Sequence, residues 1–184
     1  GLTLTTHRFD IARSILSTFA KYADQGMLPN RFPDAGEAPE YNTVDATLWY
    51  VEAARQYIEA TGDRAFLKTI FPVLVDMLAW YRKGTRFGIG MDSTDHLLHA
   101  GEAGSQLTWM DAKGGDWVVT PRIGKPVEIN ALWYQAWLTL GQLARTLKEP
   151  HEEFLQTAKA IQASFQRFWD ESVNRCYDVL DGPY

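Results

Sequence analysis

The stretch PVEINALWYQAWLTLGQLARTL, Pro126 to Leu147, decides the fold class. Trp133, Trp137, Leu140 and Ala144 recur at helical spacing on one side, and Ala131, Tyr134 and Leu138 fill another. A helix that is apolar on nearly every face must lie inside the molecule, with other helices packed around it. Those companions are visible on either side. Phe9, Ala12, Leu16 and Phe19 give a helix that Gly26 stops, and Val44, Leu48, Val51, Ala54 and Ile58 give a second, ended by Thr61-Gly62. Asp63 is placed to cap the next segment. Pro72 predicts a short helix near Arg64–Ile70 and a fresh start, with Pro72 in the first helical position and Leu74, Met77, Leu78 and Tyr81 on its apolar face. Phe154, Ala158, Ile161, Phe165 and Phe168 make a last stripe, and CYDVL (Cys176–Leu180) alternates as a short strand would. The expected fold is all-α, built from antiparallel helical hairpins with minor strand content.

Composition fits a folded domain: 184 residues, 46% hydrophobic and 22% charged, enough to bury one core and neither disordered nor membrane-spanning. A net charge of −5 lacks the basic footprint of a nucleic-acid or anionic-membrane binder, and a neutral ligand suits it better. Cys176 is the one cysteine. It forms no internal disulfide and fits a reducing, cytoplasmic setting.

Between Phe87 and Thr120 the helical period disappears in favour of Gly, Asp and Thr, and a long irregular loop in a compact domain is usually functional. It holds QLTWMDAK, residues 106–113. Beside Trp109 and Met110, the carboxyl of Asp111 could lie against apolar walls that raise its pKa, as a general acid needs. The alternative is a loop aspartate held by backbone N–H groups, with its pKa lowered. The other acids in or beside loops, Asp34, Glu37, Glu40, Asp92, Asp95, Glu102 and Asp116, read as solvated charges.

PNRF and EYNTVDATLWY bring Arg31, Tyr41, Asn42 and Asp45 to the start of the second long helix, a donor, acceptor and aromatic set suited to a sugar. Asn42 and Asp45 equally resemble a capping box. GKPVEINALWY repeats the pattern with Glu128 and Asn130, where first-turn electrostatics is again the competing reading. Trp109 and Trp117 are loop tryptophans able to stack on pyranose rings, whereas Trp49 and Trp133 fall at helical spacing. His96 and His99, near Asp92 and Asp95, are a weak metal signal, and no cofactor or metal is expected.

In order along the chain, NRFPD, YNTVDATLW, GTRFGI, QLTWMDAK, GDWVVTPR and GKPVEINALWY resemble the amylo-α-1,6-glucosidase domain of glycogen debranching enzymes. The resemblance implies part of an (α/α)6 toroid whose loops form a glucan pocket. It further implies inverting hydrolysis of α-1,6-linked glucose at branch points, with Asp111 as proton donor and Arg31, Tyr41, Asn42, Asp45, Trp109, Lys113, Trp117, Glu128 and Asn130 around the sugar. The implied partner is glycogen or a related branched α-glucan. A full toroid exceeds this length, so residues 1–184 are expected to be a central fragment, inactive alone, with its catalytic base beyond residue 184. Uncovered apolar helix faces would then favour self-association. Glucoamylase-like, trehalase-like and invertase-like hydrolases, or a non-catalytic glucan-binding module, are the alternatives.

Overall fold

In a computed structural model, which describes residues 1–32 and 38–183, six helices carry the chain. They are α1 (Leu2–Thr5), α2 (Phe9–Ala20), α3 (Asp45–Thr61), α4 (Arg64–Lys83), α5 (Val127–Leu147) and α6 (Glu152–Phe165). Asp34 and Glu37 lie outside the described residues. The fold is all-α. Helix α5 is the axis: Trp133, Leu140 and Ala144 are fully buried, and α3, α4 and α6 pack around it. Trp133 meets Trp137 edge to face, with ring centroids 5.3 Å apart, a favoured aromatic geometry. Gly141 lets α6 come close. A Cβ there would sit 2.4 Å from Leu155 Cδ2.

Helices α3 and α4 form a hairpin with a very short turn. Gly62 ends α3 in the left-handed conformation at φ 64°, which glycine adopts without penalty. Asp63 then caps α4, its carboxylate accepting from Phe66 N at 2.9 Å. Contrary to the expected break, α4 runs unbroken through Pro72. The proline removes one backbone hydrogen bond and costs about 3 kcal/mol. Leu67, Ile70, Phe71, Leu74, Leu78 and Tyr81 are buried on both sides of it. Burying one such side chain contributes about 1.5–3 kcal/mol, so the continuous stripe prevails.

Among the described residues, strands occur only as two-residue pieces: β1 (Gly90–Met91), β2 (Leu98–His99), β3 (Lys113–Gly114), β4 (Trp117–Val118), β5 (Lys125–Pro126), β6 (Trp169–Asp170), β7 (Arg175–Cys176) and β8 (Val179–Leu180). They pair antiparallel as β1–β2, β3–β4, β5–β8 and β6–β7. The strand expected over Cys176–Leu180 is thus divided. Cys176 pairs with Trp169, whereas Val179 and Leu180 pair with Pro126 and Lys125. Between them Tyr177 N donates to Phe168 O and Asp178 O accepts from Val127 N, so the chain changes partners in mid-run. Trp49 and Trp169 remain half exposed.

Candidate active-site cleft

The long loop is fixed to α3 at one buried point. Leu107 O accepts Val44 N at 2.8 Å and Thr43 Oγ1 at 3.3 Å, and Leu107 and Thr108 are buried. From that anchor the loop rises through Trp109 and Asp111 into the β3–β4 hairpin. Gln106 Nε2 holds the far side by donating to Ala112 O at 2.8 Å. Between loop and helix lies an open cleft of about 350 Å³, within the roughly 300–1,000 Å³ of small-molecule sites. Asn30, Asn42, Thr43 and Asp45 form one wall, and Gln106, Trp109, Asp111 and Lys113 the other.

Asp45 occupies the first turn of α3, where its charge complements the helix dipole, and Thr43 Oγ1 donates to its carboxylate. The capping box does not form. Val44 holds the N-cap position with no side-chain cap, which leaves Asn42 on the cleft wall. Asp111 is exposed, and Trp109 beside it is 64% exposed. The apolar shielding expected of Trp109 and Met110 is therefore not supplied by these neighbours. The competing picture fares no better, because among the described residues no backbone N–H donates to its carboxylate.

Other expected site residues lie elsewhere. Arg31 is exposed and 3.5 Å from Glu40. Tyr41 donates its hydroxyl to Tyr22 O at 2.7 Å with Arg86 over its ring, outside the cleft. Trp117 on β4 is 68% exposed and does not line the cleft. Asn130 is wholly buried. Its side chain accepts Leu98 N at 2.6 Å and donates to Leu98 O and Pro126 O at 3.0 and 2.9 Å. That is a clamp joining α5 to β2, with no donor left for a sugar. Glu128, in the first turn of α5, accepts from Arg122 at 2.5 Å and is likewise off the cleft wall. Asn30, Thr43, Gln106 and Thr108 are lining residues that sequence reasoning passed over. They belong to the PNRF, EYNTVDATLWY and QLTWMDAK motifs, and small polar residues there carry no local mark of facing a ligand.

One acidic cluster needs a charge argument. Asp92, Asp95 and Asp181 offer oxygens within 4.8 Å of one another, but Lys125 Nζ sits among them at 2.8, 2.9 and 2.7 Å. Arg167 joins the group through Asp95 and Asp181. The Lys125 hydrogen bond holds the Asp92 carboxyl well below the usual carboxylate range. Burial pushes Lys125 down, and the bonds to Asp181, Asp92 and Asp95 outweigh it, raising its pKa to about 12. A lysine ammonium thus fills the place a metal ion would take. His96 and His99 stand apart, with His96 O accepting Trp133 Nε1 and His99 Nδ1 facing Gly88 O.

The sequence profile of the amylo-alpha-1,6-glucosidase family matches residues 1–183. The chain belongs to that family. It is 27% identical to the glycogen debranching enzyme of Saccharomyces cerevisiae, over 62% of this chain and 10% of the yeast enzyme. The chain thus spans about a tenth of that relative's length. Among solved structures it resembles a GH78 family rhamnosidase of Bacillus sp. GL1, with a TM-score of 0.70 and 20% identity over 91% of this chain and 16% of that one. A rhamnosidase from Klebsiella oxytoca follows, with a TM-score of 0.62 and 16% identity over 90% of this chain and 30% of that one. At these identities the likeness concerns the fold. The amylo-alpha-1,6-glucosidase family match makes the chain a domain of glycoside-hydrolase type. Among the described residues, no helix is long and apolar enough to cross a membrane.

Proposed function

We propose that this domain takes part in hydrolysing α-1,6-linked glucose at branch points of a glycogen-like glucan, with inversion, and that Asp111 is the proton donor. The observation that carries the reading is the shared cleft: Asp111 and Lys113 on the loop wall face Asn42 and Asp45 on the helix wall, with Trp109 at the rim. Fixed polar groups beside an exposed indole suit a hexose, which has hydroxyl edges and an apolar C–H face. Asn42, Asp45 and Lys113 hydrogen-bond the hydroxyls, and Trp109 covers the ring.

In the step proposed, Asp111 gives its proton to the glycosidic oxygen as the C1–O bond breaks. Water adds to C1 from the opposite face and yields β-glucose. A second carboxylate, in a part of the enzyme beyond residue 184, takes the proton from that water; inverting pairs stand roughly 6.5–9.5 Å apart. The bound sugar covers Asp111 and excludes water from the proton-transfer step.

The test is Asp111→Asn in the intact enzyme, assayed on branched limit dextrin and on α-glucosyl fluoride. Fluoride departs without a proton, so the expected loss is about 100-fold or more on dextrin and much smaller on the fluoride, with dextrin binding retained. Unchanged turnover of dextrin eliminates the assignment, and α-glucose as the first product eliminates inversion.

A further inference from the structure

The loop that carries Asp111 leaves and re-enters the fold at a single point. Ala100 N donates to Gly124 O at 2.8 Å and Gly124 N to Ala100 O at 3.0 Å, which brings the two ends of residues 101–123 together. Its outgoing limb is anchored at Leu107. Its returning limb ends at Arg122, whose side chain is only 3% exposed although residues 111–117 are all exposed. Arg122 Nη2 lies 2.5 Å from Glu128 Oε2 and 3.1 Å from Asp178 Oδ1. One guanidinium thus ties the foot of the loop to the first turn of α5 and to the segment before β8.

The pair is not there for cheap stability. Arg122 Nε and Glu128 Oε1 are both buried without a hydrogen-bond partner among the described residues, and such groups are costly. Nor does Arg122 face substrate: the space it lines beneath Thr108 and Met110 is about 10 Å³, far below what a sugar requires. A buried guanidinium that lies off the cleft wall and is tied to partly exposed carboxylates on two other segments is placed to fix geometry.

We infer that Arg122 is a positioning residue for Asp111, the Arg122–Glu128 pair holding the returning limb of the loop so that the carboxyl stays over the cleft. The inference rests on the reading of Asp111 as proton donor. Proton transfer needs heavy atoms at about 2.6–3.2 Å, and a displacement near 1 Å can lower the rate about 100-fold. The outgoing limb is anchored at Leu107 and braced by the Gln106 Nε2 bond to Ala112 O, and Arg122 holds the limb that returns from the exposed stretch.

The experiment compares Arg122→Met, Arg122→Lys and the double variant Arg122→Met/Glu128→Leu with Asp111→Asn in the intact enzyme, on limit dextrin and on α-glucosyl fluoride, alongside thermal unfolding. For Arg122→Met the expected result is a loss of roughly 10–100-fold in kcat on dextrin, with KM little changed and only a few-fold loss on the fluoride. The double variant, which leaves no unpaired buried carboxylate, regains thermal stability but keeps the dextrin defect. Arg122→Lys preserves the charge without the guanidinium fork and falls between. Equal losses on both substrates, or activity that returns together with stability in the double variant, would reduce Arg122 to a structural residue. If Asp111→Asn discriminates between the substrates and the Arg122 variants do not, this inference alone fails. If Asp111→Asn does not discriminate either, the proton-donor reading fails with it.

Discussion

Asn130 offers a sharp trial of the packing argument, because its motif suggested a sugar ligand and its surroundings say otherwise. Replacing it with Leu keeps the side chain close to the same size but removes the acceptor for Leu98 N–H and the donors to Leu98 C=O and Pro126 C=O. Each buried polar group left unsatisfied costs about 1–3 kcal/mol, so stranding both Leu98 groups destabilises the protein by about 2–6 kcal/mol. At about 2–4 °C per kcal/mol for a domain of this size, the melting temperature should fall by roughly 10 °C. Asn130→Asp adds a pH signature. It can still accept from Leu98 N–H, but as a carboxylate it faces two carbonyl oxygens with nothing to donate. Burial and those carbonyls raise its folded-state pKa above the unfolded value of about 3.9. Stability then falls as pH rises between the two values, because the folded form binds the extra proton. Thermal unfolding followed by circular dichroism from pH 4 to 8 should show Asn130→Asp approaching the wild-type protein at the acid end, while the deficit of Asn130→Leu does not depend on ionisation at position 130. Melting temperatures within 2 °C of wild type for both variants, accompanied by lost glucan binding, would refute the clamp and restore Asn130 to the substrate.

Lys125→Met removes the ammonium that holds Asp92, Asp95 and Asp181 together, and should cost about 3 kcal/mol in denaturant unfolding. That is the low end for breaking a buried pair, because Arg167 stays with Asp95 and Asp181. In the unaltered protein Asp92 and Asp181 are held below the usual carboxylate range by the Lys125 hydrogen bonds. Their stabilisation is therefore complete above about pH 4 and is lost as pH falls through the depressed values. That of Lys125, raised to about 12, is lost only as pH rises through it. An acid-unfolding curve unchanged by the substitution would contradict this account. Asp63→Ala, which deletes the cap on α4, should destabilise by about 1 kcal/mol, and Asp63→Asn by less, since it retains an acceptor for Phe66 N; equal losses would mean that the cap bond contributes nothing.

What the sequence determined by itself was the part of the structure written in local periodicity. The buried axis at Val127–Leu147, the stripes of α2, α3 and α6, the Gly62 stop and the Asp63 cap all follow from side chains within a few turns of one another, where spacing and burial are the same fact. Pro72 departs from the sequence expectation because its local penalty is visible in the sequence, whereas the apolar residues buried on both sides of it take effect only once the neighbouring helices are present. The same limit governs the site. The motifs brought Asn42, Asp45, Trp109, Asp111 and Lys113 to notice, and the tertiary structure joined them through the bond from Val44 N to Leu107 O, a pairing between residues far apart in the chain. Asn130 and Glu128 looked equally suited to a sugar. A polar side chain near a helix start has the same sequence signature whether it meets a ligand, a backbone or a buried arginine, and only the packing of distant segments determines which partner is within reach.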